Sequence, residues 1–442
     1  MAAIAQGTQV RPAATILLLV ALAGASLAGA GGVDSASKGH TPATDGTRLS
    51  QSSSLVSPRR RADAAAAVTK QVGCFWYPKQ CVVPGFALTQ RNLSDLPTDT
   101  CTYIDLGNLC VFNITADGGL NVAEGGCAGA AEAVAADARL AKRNHRSAGV
   151  PAPRMYWGLW MVGPNHTAQV ARFGEVFSDQ AKIERLVSEL KAWTAQHSDV
   201  VDGFNIDWEL TPPTPQSKTG FGTFLRRLTE ETGLRSILDT GDLTTMQQNV
   251  DVAAAQPYLD YVEFMVYFTN LTAPLTPRPS VEDNINALLA PPFNYRKDQI
   301  IVGVGFSSGS TANVSTAEVG GCAYWGWGCT GPSTSNGPHS SVGMNSMTWD
   351  RIAADVDAGK GYRGMSGAKQ GYAHWYFFPD PATGNATGEL TWWNSLSDFE
   401  YYTSFVNERQ LGGVFSWVAT SDAPDWRVHK QLHRDLLPSP EN

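Results

Sequence analysis

Short apolar segments that alternate with helical patterns from about residue 70 onward constrain this 442-residue chain most strongly. Such alternation is the signature of repeated βα units and a parallel sheet. Seven segments have the length and composition of strands, at 71–77, 101–106, 154–161, 201–208, 259–267, 299–306 and 412–418. With an eighth strand expected between 235 and 246, the pattern predicts an α/β fold of the (β/α)₈ TIM barrel type.

Two helices are clear between these strands. The first has apolar residues at helical spacing after Ser178, which we predict as its N-cap: Ile183, Leu186, Val187, Leu190 and Trp193. The second is predicted around 221–237. Residues 307–375 are rich in Gly, Ser and Trp without clear elements. We expect long loops or a small inserted lobe there.

The N-terminal segment has the features of a secretory leader. Arg11 precedes an apolar run over 13–28, and Ala28-Gly29-Ala30 offers a cleavage site between small residues. We predict a signal peptide over 1–30. A retained signal anchor is the alternative, but positive charge is heavier after the run than before it, which disfavours a cytoplasmic N-terminus. Residues 31–69 lack apolar periodicity and suggest a disordered stem or pro-segment.

Two further features agree with the secretory pathway. Six Asn-x-Ser/Thr sequons begin at Asn92, Asn113, Asn165, Asn270, Asn313 and Asn385. Seven cysteines fall mostly in close pairs, which suggests local disulfides at Cys74/Cys81, Cys101/Cys110 and Cys322/Cys329 and leaves Cys127 over. Sequence alone does not fix their connectivity. We expect one barrel domain over 70–436, either secreted or in a lysosomal or vacuolar lumen, with no stable membrane insertion after signal cleavage.

The charge balance limits the classes of partner. A net charge of −8 and a pI near 5.5 argue against nucleic acid, which needs a basic face. No CxxC spacing indicates a zinc site, and we infer no metal ion or organic cofactor from the motifs. We therefore predict no cofactor and a neutral or small ligand, bound by a monomer.

The most informative segment for chemistry is 200–209, VVDGFNIDWE. Side chains alternate across a strand, so one face carries Phe204, Ile206 and Trp208 and the other carries Asn205, Asp207 and Glu209. The apolar face suits packing against barrel helices. The polar face then lines the barrel interior, with Glu209 at the C-terminal rim, where barrel active sites lie. Neighbouring buried carboxylates raise each other's pKa, a cost that folds accept mainly where a proton must be held.

This segment resembles the D-G-x-D-x-D-x-E signature of family 18 glycoside hydrolases, the chitinases and their relatives. Three supporting segments are similar to other strands of that family. Phe264-Met265-Val266-Tyr267 resembles its M-x-Y strand, 300–305 its sixth strand, and 412–417 its last strand, which ends in a tryptophan under the sugar ring. The order and spacing match over roughly residues 70–425.

The resemblance implies substrate-assisted, retaining hydrolysis of β-1,4-linked N-acetylglucosamine glycans such as chitin. In that scheme Glu209 protonates the glycosidic oxygen while the substrate's own 2-acetamido carbonyl attacks C1. Asp207 orients the acetamide and stabilises the oxazolinium ion, and the Tyr267 hydroxyl contacts the acetamide oxygen. Asn205 and Met265 line the substrate site, and Trp417 forms the floor of the −1 subsite.

Three positions depart from the family pattern. Asn205 replaces the middle aspartate, as in the lysosomal chitobiase branch that trims short chitobiose units, and predicts a shifted pH optimum. Phe268 stands where the family has aspartate after the tyrosine. Residues 155–163 lack the usual S-x-G-G, so we expect an unusual cleft wall beside the site. The sequence leaves open endo or exo action, and chitin or an N-glycan core as substrate.

Two other functions compete with this interpretation. A catalytically impaired chitin- or glycan-binding lectin has the same fold, although such relatives typically lose the terminal glutamate that Glu209 preserves. More remotely, 305–309 matches the G-x-S-x-G elbow of a serine esterase with Ser307 as nucleophile and a downstream histidine such as His429. The pair Trp392-Trp393 either stacks on glycan or anchors a loop.

Overall fold

A closed barrel of parallel strands forms the centre of the computed structural model. The structure describes residues 69–79, 91–106, 112–121, 130–160, 173–208, 214–240, 250–265, 278–315, 340–342, 349–360, 362–366, 373–384 and 387–437. Within these ranges, no helix combines the length and apolar character needed to cross a bilayer.

Strands and helices alternate along much of the described part of the chain. The strands are β1 (Gln71–Trp76), β2 (Tyr103–Leu106), β3 (Phe112–Ile114), β4 (Leu120–Asn121), β5 (Arg154–Trp160), β6 (Gly203–Asp207), β7 (Arg235–Thr240), β8 (Leu259–Phe264), β9 (Ile300–Gly305), β10 (Ser307–Ser315), β11 (Ser340–Val342), β12 (Tyr362–Ser366), β13 (Ala373–Pro379), β14 (Thr387–Trp393) and β15 (Gly413–Trp417). The helices are α1 (Ala130–Ser147), α2 (Gln180–Gln196), α3 (Pro215–Thr232), α4 (Val252–Ala255), α5 (Arg278–Leu289), α6 (Trp349–Asp357), α7 (Leu396–Arg409) and α8 (Arg427–Leu436).

The barrel consists of β1, β2, β5 to β9 and β15, all parallel to their neighbours. Pairing of β2 with β5 and of β1 with β15 closes it. The predicted (β/α)₈ fold is confirmed, and all seven predicted strands are present. The eighth, expected between 235 and 246, is β7. Its sequence RSILDT is half polar, so it lacks the apolar run that indicates the other strands.

Two helix boundaries differ from the sequence prediction. Asp179, not Ser178, caps α2, because its carboxylate accepts hydrogen bonds from the backbone N–H groups of Ala181 and Lys182. Helix α3 begins at Pro215, six residues before the predicted start of 221, and ends before Gly233, which adopts a left-handed conformation at φ 75°. These boundaries depend on polar and glycine cap residues, which the spacing of apolar residues does not indicate.

The region without clear elements, 307–375, contains much of a second sheet. Its described parts and the residues up to 393 form five antiparallel strands in the order β11-β10-β14-β13-β12. These strands lie between β9 and β15 in the sequence. The chain therefore leaves the barrel after β9, forms the second sheet, and returns to the barrel as β15. The inserted segment is therefore a lobe built on a sheet.

The described disulfide joins Cys74 to Cys101, which are 27 residues apart in the sequence. The expected local pairs Cys74/Cys81 and Cys101/Cys110 are therefore wrong. Adjacent parallel strands explain the difference, since β1 lies directly beside β2 and brings the two Cα atoms within 6.0 Å. The other partners that we expected, and Cys127, lie outside the described residues.

Apolar side chains separate into two layers around the barrel. Outward-facing strand residues pack against the helices, as Phe204 and Ile206 do in the main core. Inward-facing aromatic and aliphatic residues form a second cluster, which includes Tyr103, Tyr156 and Phe415. Gly73 makes room for this layer, because a Cβ atom there would lie 2.3 Å from the ring of Tyr103.

Candidate active site

Strand β6 divides its side chains between the two layers as the alternation predicts. Phe204, Ile206 and Trp208 belong to the core between strands and helices, and the Trp208 ring centroid lies 5.2 Å from that of Phe221. Asn205 and Asp207 are buried on the opposite, interior side. Asp207 is the last residue of β6, so its carboxylate belongs to the C-terminal end of the barrel.

Asn205 forms a polar contact across the interior. Its Nδ2 donates a hydrogen bond to Asp239 Oδ1 over 3.1 Å. Asp207 is the register partner of Asp239 on β7, and Asp239 is in turn the partner of Glu263 on β8. Three acidic residues therefore occupy the same level on three consecutive strands.

Asp105 on β2 adds a fourth buried carboxyl group to this interior. Burial raises its pKa to about 7, and close polar contacts with Glu263 and Asn205 partly offset that effect. Burial also raises the pKa of Asp239 and of Glu263 well above the ordinary value, with negative neighbours adding to it. The Tyr103 hydroxyl donates a hydrogen bond to Glu263 Oε1 over 2.5 Å.

These three acids are not among the residues predicted from the sequence, although the sequence contains a signal for them. Asp105, Asp239 and Glu263 each follow, two positions later, an apolar or aromatic residue of the interior cluster: Tyr103, Ile237 and Tyr261. Period-two alternation places both members of such a pair on one face. An acidic residue in the inward register of an otherwise apolar strand was therefore the clue.

An aromatic wall lies at the same end of the barrel. Trp417, the last residue of β15, is 8% exposed and belongs to one contiguous apolar cluster with Tyr77, Met265 and Trp392 of the lobe. Trp392 is only 2% exposed, as expected of an anchor between lobe and barrel. Its neighbour Trp393 packs in the other layer, with the main core.

The predicted site residues are thus only partly described. Asp207, Met265 and Trp417 lie at or just after the C-terminal ends of β6, β8 and β15, Met265 and Trp417 share one apolar cluster, and Asn205 lies two residues before Asp207 in β6. Glu209, Tyr267 and Phe268 lie outside the described residues, as do 161–163 of the third-strand segment.

Ser307 does not have the setting of an esterase nucleophile. It begins β10, an antiparallel strand, where a nucleophile elbow needs a helix immediately after the serine. His429 is instead engaged within the core, where its Nε2 lies 2.7 Å from Ser416 Oγ and its Nδ1 lies 2.7 Å from Asp422 Oδ2. All three side chains are fully buried, so this Ser-His-Asp arrangement has no surface for a substrate.

Two other polar features of the described residues resemble binding sites. Within the described ranges, the one grouping of three potential metal ligands is Cys74, Cys101 and His429, and both of its sulfur atoms are in the disulfide. A polar cavity of about 300 Å³ lies at the N-terminal end of the strands, opposite Asp207. Its charges pair within the protein, for example Arg235 with Asp260 at 3.4 Å, which suits a stabilising role at the bottom of a barrel.

Comparison with known proteins agrees with this geometry. The family model "Glycosyl hydrolases family 18" matches residues 159–422, more than half of the chain. A search of curated protein sequences finds no match.

Several solved structures resemble the chain over most of its length. The Group IV chitinase of Ostrinia furnacalis has a TM-score of 0.63 at 11% identity, covering 83% of this chain and 99% of that one. A mutant class V chitinase from Nicotiana tobaccum in complex with NAG4 gives 0.62 at 12%, with 83% and 99% covered. The chitinase-like agglutinin of Robinia pseudoacacia gives 0.59 at 13%, with 82% and 99% covered. At such identities the likeness establishes the fold.

Proposed function

The chain belongs to the glycosyl hydrolases of family 18, and from that membership we propose that it hydrolyses β-1,4 linkages in N-acetylglucosamine glycans. The observation that carries the proposal is the buried Asp207 at the C-terminal end of β6, in the same barrel mouth as the aromatic Trp417. A carboxylate and an aromatic face at one rim suit a cationic, sugar-derived intermediate. The ligand class agrees with the NAG4 bound to the Nicotiana tobaccum relative.

The proposed reaction is substrate-assisted and retaining. Glu209, two positions beyond Asp207, donates its proton to the glycosidic oxygen, and the leaving sugar departs as an alcohol. The acetamide carbonyl oxygen of the remaining sugar forms a bond to C1 and gives an oxazolinium ion, whose positive charge Asp207 stabilises. Water then adds to C1 while the Glu209 carboxylate takes its proton, which restores the acid and the acetamide.

The remaining site residues take supporting roles in this proposal. The Tyr267 hydroxyl holds the acetamide oxygen, and Trp417 supports the face of the sugar at the −1 subsite. Asn205 and Met265 complete the wall around them. The chemistry needs no metal or organic cofactor, because the substrate supplies the nucleophile. Activity of the chitinase, chitobiase or endo-β-N-acetylglucosaminidase type is consistent with this set of groups, in a secreted or lysosomal protein.

A glycan-binding lectin is the second candidate, since the structural relatives include an agglutinin. Turnover separates the two functions. We expect the protein to release the fluorophore from a 4-methylumbelliferyl chitotrioside. We expect Glu209→Gln to lower kcat by about 10²- to 10⁴-fold, as for the loss of a general acid, with chitotetraose binding retained.

The matched control is Glu189→Gln on the exposed surface of α2, which should leave kcat unchanged. Tight chitotetraose binding by the wild-type protein without any turnover identifies a lectin and overturns the hydrolase proposal. Equal rates for wild type and Glu209→Gln overturn the assignment of the acid.

A further inference from the structure

Three buried carboxyl groups on strands other than that of Asp207 have no part in the proposed reaction. Asp105, Asp239 and Glu263 are each at most 1% exposed and lie on β2, β7 and β8. We call them the interior acid cluster. Asn205 links the cluster to strand β6 through its hydrogen bond to Asp239. Isolated buried carboxylates cost several kcal/mol each, so this arrangement needs a compensating group.

The lack of donors around the cluster points to a proton as that group. Tyr103 donates to one oxygen of Glu263. In the described part of the chain, no N–H or O–H donor makes a well-formed hydrogen bond to Glu263 Oε2 or to either oxygen of Asp105. Ionised carboxylates only accept hydrogen bonds, so contacts among the three acids become favourable when one of them keeps a proton to donate.

Charged and titratable groups face the cluster from several strands. Tyr103 is on β2, Arg154 and Tyr156 are on β5, Asp207 is on β6 and Tyr261 is on β8. Arg154 is the one cation that acts on Asp105 among these described groups, and it is engaged with Asp260 and Tyr261. The pKa of Glu263 is raised by burial first, then by the negative Asp105 and Asp239 and by its hydrogen bonds to both.

We propose that Glu263 keeps its proton at neutral pH and, through Asp239, acts as a positioning residue for Asn205 and Asp207. This inference rests on the proposed hydrolase function. Glu263 donates to Asp239, whose Oδ1 accepts the amide N–H of Asn205 and so fixes that amide in the barrel interior. Asn205 Oδ1 is itself buried without a hydrogen-bond partner among the described residues, so the amide is oriented through its Nδ2, which donates to Asp239.

A neutral Glu263 also keeps the number of negative charges around Asp207 lower. Asp207 already acts electrostatically on Asp105 and Asp239. A full charge on Glu263 would raise the proton affinity of the whole group and favour a protonated Asp207. Asp207 would then lose the charge that stabilises the oxazolinium ion.

Two variants separate positioning from simple packing. In Glu263→Gln the amide keeps the shape and supplies an N–H donor, so we expect kcat within about threefold of wild type. Glu263→Leu keeps the approximate volume without a donor, and we expect kcat to fall by about 10²-fold with little change in KM, as for a misplaced reacting group. Loss of kcat in Glu263→Gln as large as in Glu263→Leu overturns the proposal.

An infrared measurement tests the proton independently of turnover, including where Glu263→Leu does not fold. The difference spectrum of wild type minus Glu263→Gln at pH 7 should contain the C=O stretch of a protonated carboxyl group, and this band should shift in D₂O. Absence of the band, or its appearance only after treatment with a chelator, overturns the proposal in favour of an ionised or cation-bound Glu263. An inactive protein that shows the band refutes the hydrolase and the positioning role but not the buried proton.

Discussion

Asn205 and Asp239 are joined by a hydrogen bond of 3.1 Å between Nδ2 and Oδ1, inside the barrel where neither side chain is more than 1% exposed. The contact gives a physical reason for asparagine at the middle motif position. An aspartate there would add another buried carboxyl to Asp105, Asp207, Asp239 and Glu263, with no additional cation. The amide instead supplies a donor to a group of acceptors.

Replacement of Asn205 by aspartate should both destabilise the fold and shift the pH–rate profile. An extra buried carboxyl next to Asp239 should lower the free energy of unfolding at pH 7 by roughly 3 kcal/mol. If it ionises, its charge raises the pKa of neighbouring acids and moves the profile of kcat/KM toward higher pH by on the order of one unit. Urea unfolding and a pH series on the fluorogenic chitotrioside measure the two effects. Asn144→Asp on the exposed surface of α1 is the control, and a profile identical to wild type contradicts the account.

The raised pKa of Asp105 predicts how stability changes with pH. Its folded-state pKa of about 7 exceeds the ordinary value of 3.8, so the folded protein binds more protons than the unfolded chain between these limits. Stability from this group is therefore present at low pH and is lost as pH rises toward 7, by at most about 1.4 kcal/mol per unit. The unfolding free energy of Asp105→Asn minus that of wild type should therefore be larger at pH 7 than at pH 4.

Denaturant unfolding at a series of pH values checks this expectation. The exposed Asp117 is the control, because its pKa is lowered by hydrogen bonds from Thr115 and the backbone, and its loss should change the pH dependence in the opposite sense. A difference between wild type and Asp105→Asn that does not vary with pH would show that folding does not raise the pKa of Asp105.

The buried Asp422 should be important for stability although it does no chemistry. Its carboxylate accepts hydrogen bonds from Ala423 N at 2.6 Å, His429 N at 3.0 Å and His429 Nδ1 at 2.7 Å. Asp422→Asn turns an N–H group toward these donors, and we expect a loss of roughly 3 kcal/mol in urea unfolding. Asp425→Asn, which loses an exposed ion pair with Arg427 and weakens a hydrogen bond from the Arg427 backbone N–H, should cost less than about 1 kcal/mol. Equal losses would mean that the Asp422 contacts contribute nothing specific.

The barrel could be predicted because each strand is indicated by the residues of one short segment. Period-two alternation placed Phe204 and Asp207 on opposite faces, and short apolar runs located seven strands. The strand at 235–240 was only anticipated as a region, since Arg235, Ser236 and Asp239 interrupt its apolar character. Helix α2 was found within two residues of its start, because the alternative caps Ser178 and Asp179 are adjacent and have similar propensities.

Features that depend on which strands become neighbours were not predictable. Cys74 pairs with Cys101 because β1 lies beside β2 in space, although the two cysteines are 27 residues apart in the sequence. The interior acid cluster combines β7 and β8 with β2, which is far from both in the sequence, so no single segment shows that the three acids meet. The motif on β6 indicates Asp207 but not the acids on the neighbouring strands.

The anomeric form of the first product tests the central claim most directly. Proton NMR during hydrolysis of N-acetylchitotetraose reports whether the new reducing end forms as the β- or α-anomer before mutarotation. Substrate-assisted catalysis at Asp207 and Glu209 inverts C1 twice, so the account predicts that the β-anomer appears first. An initial α-anomer, or no product under conditions where the oligosaccharide binds, would contradict it.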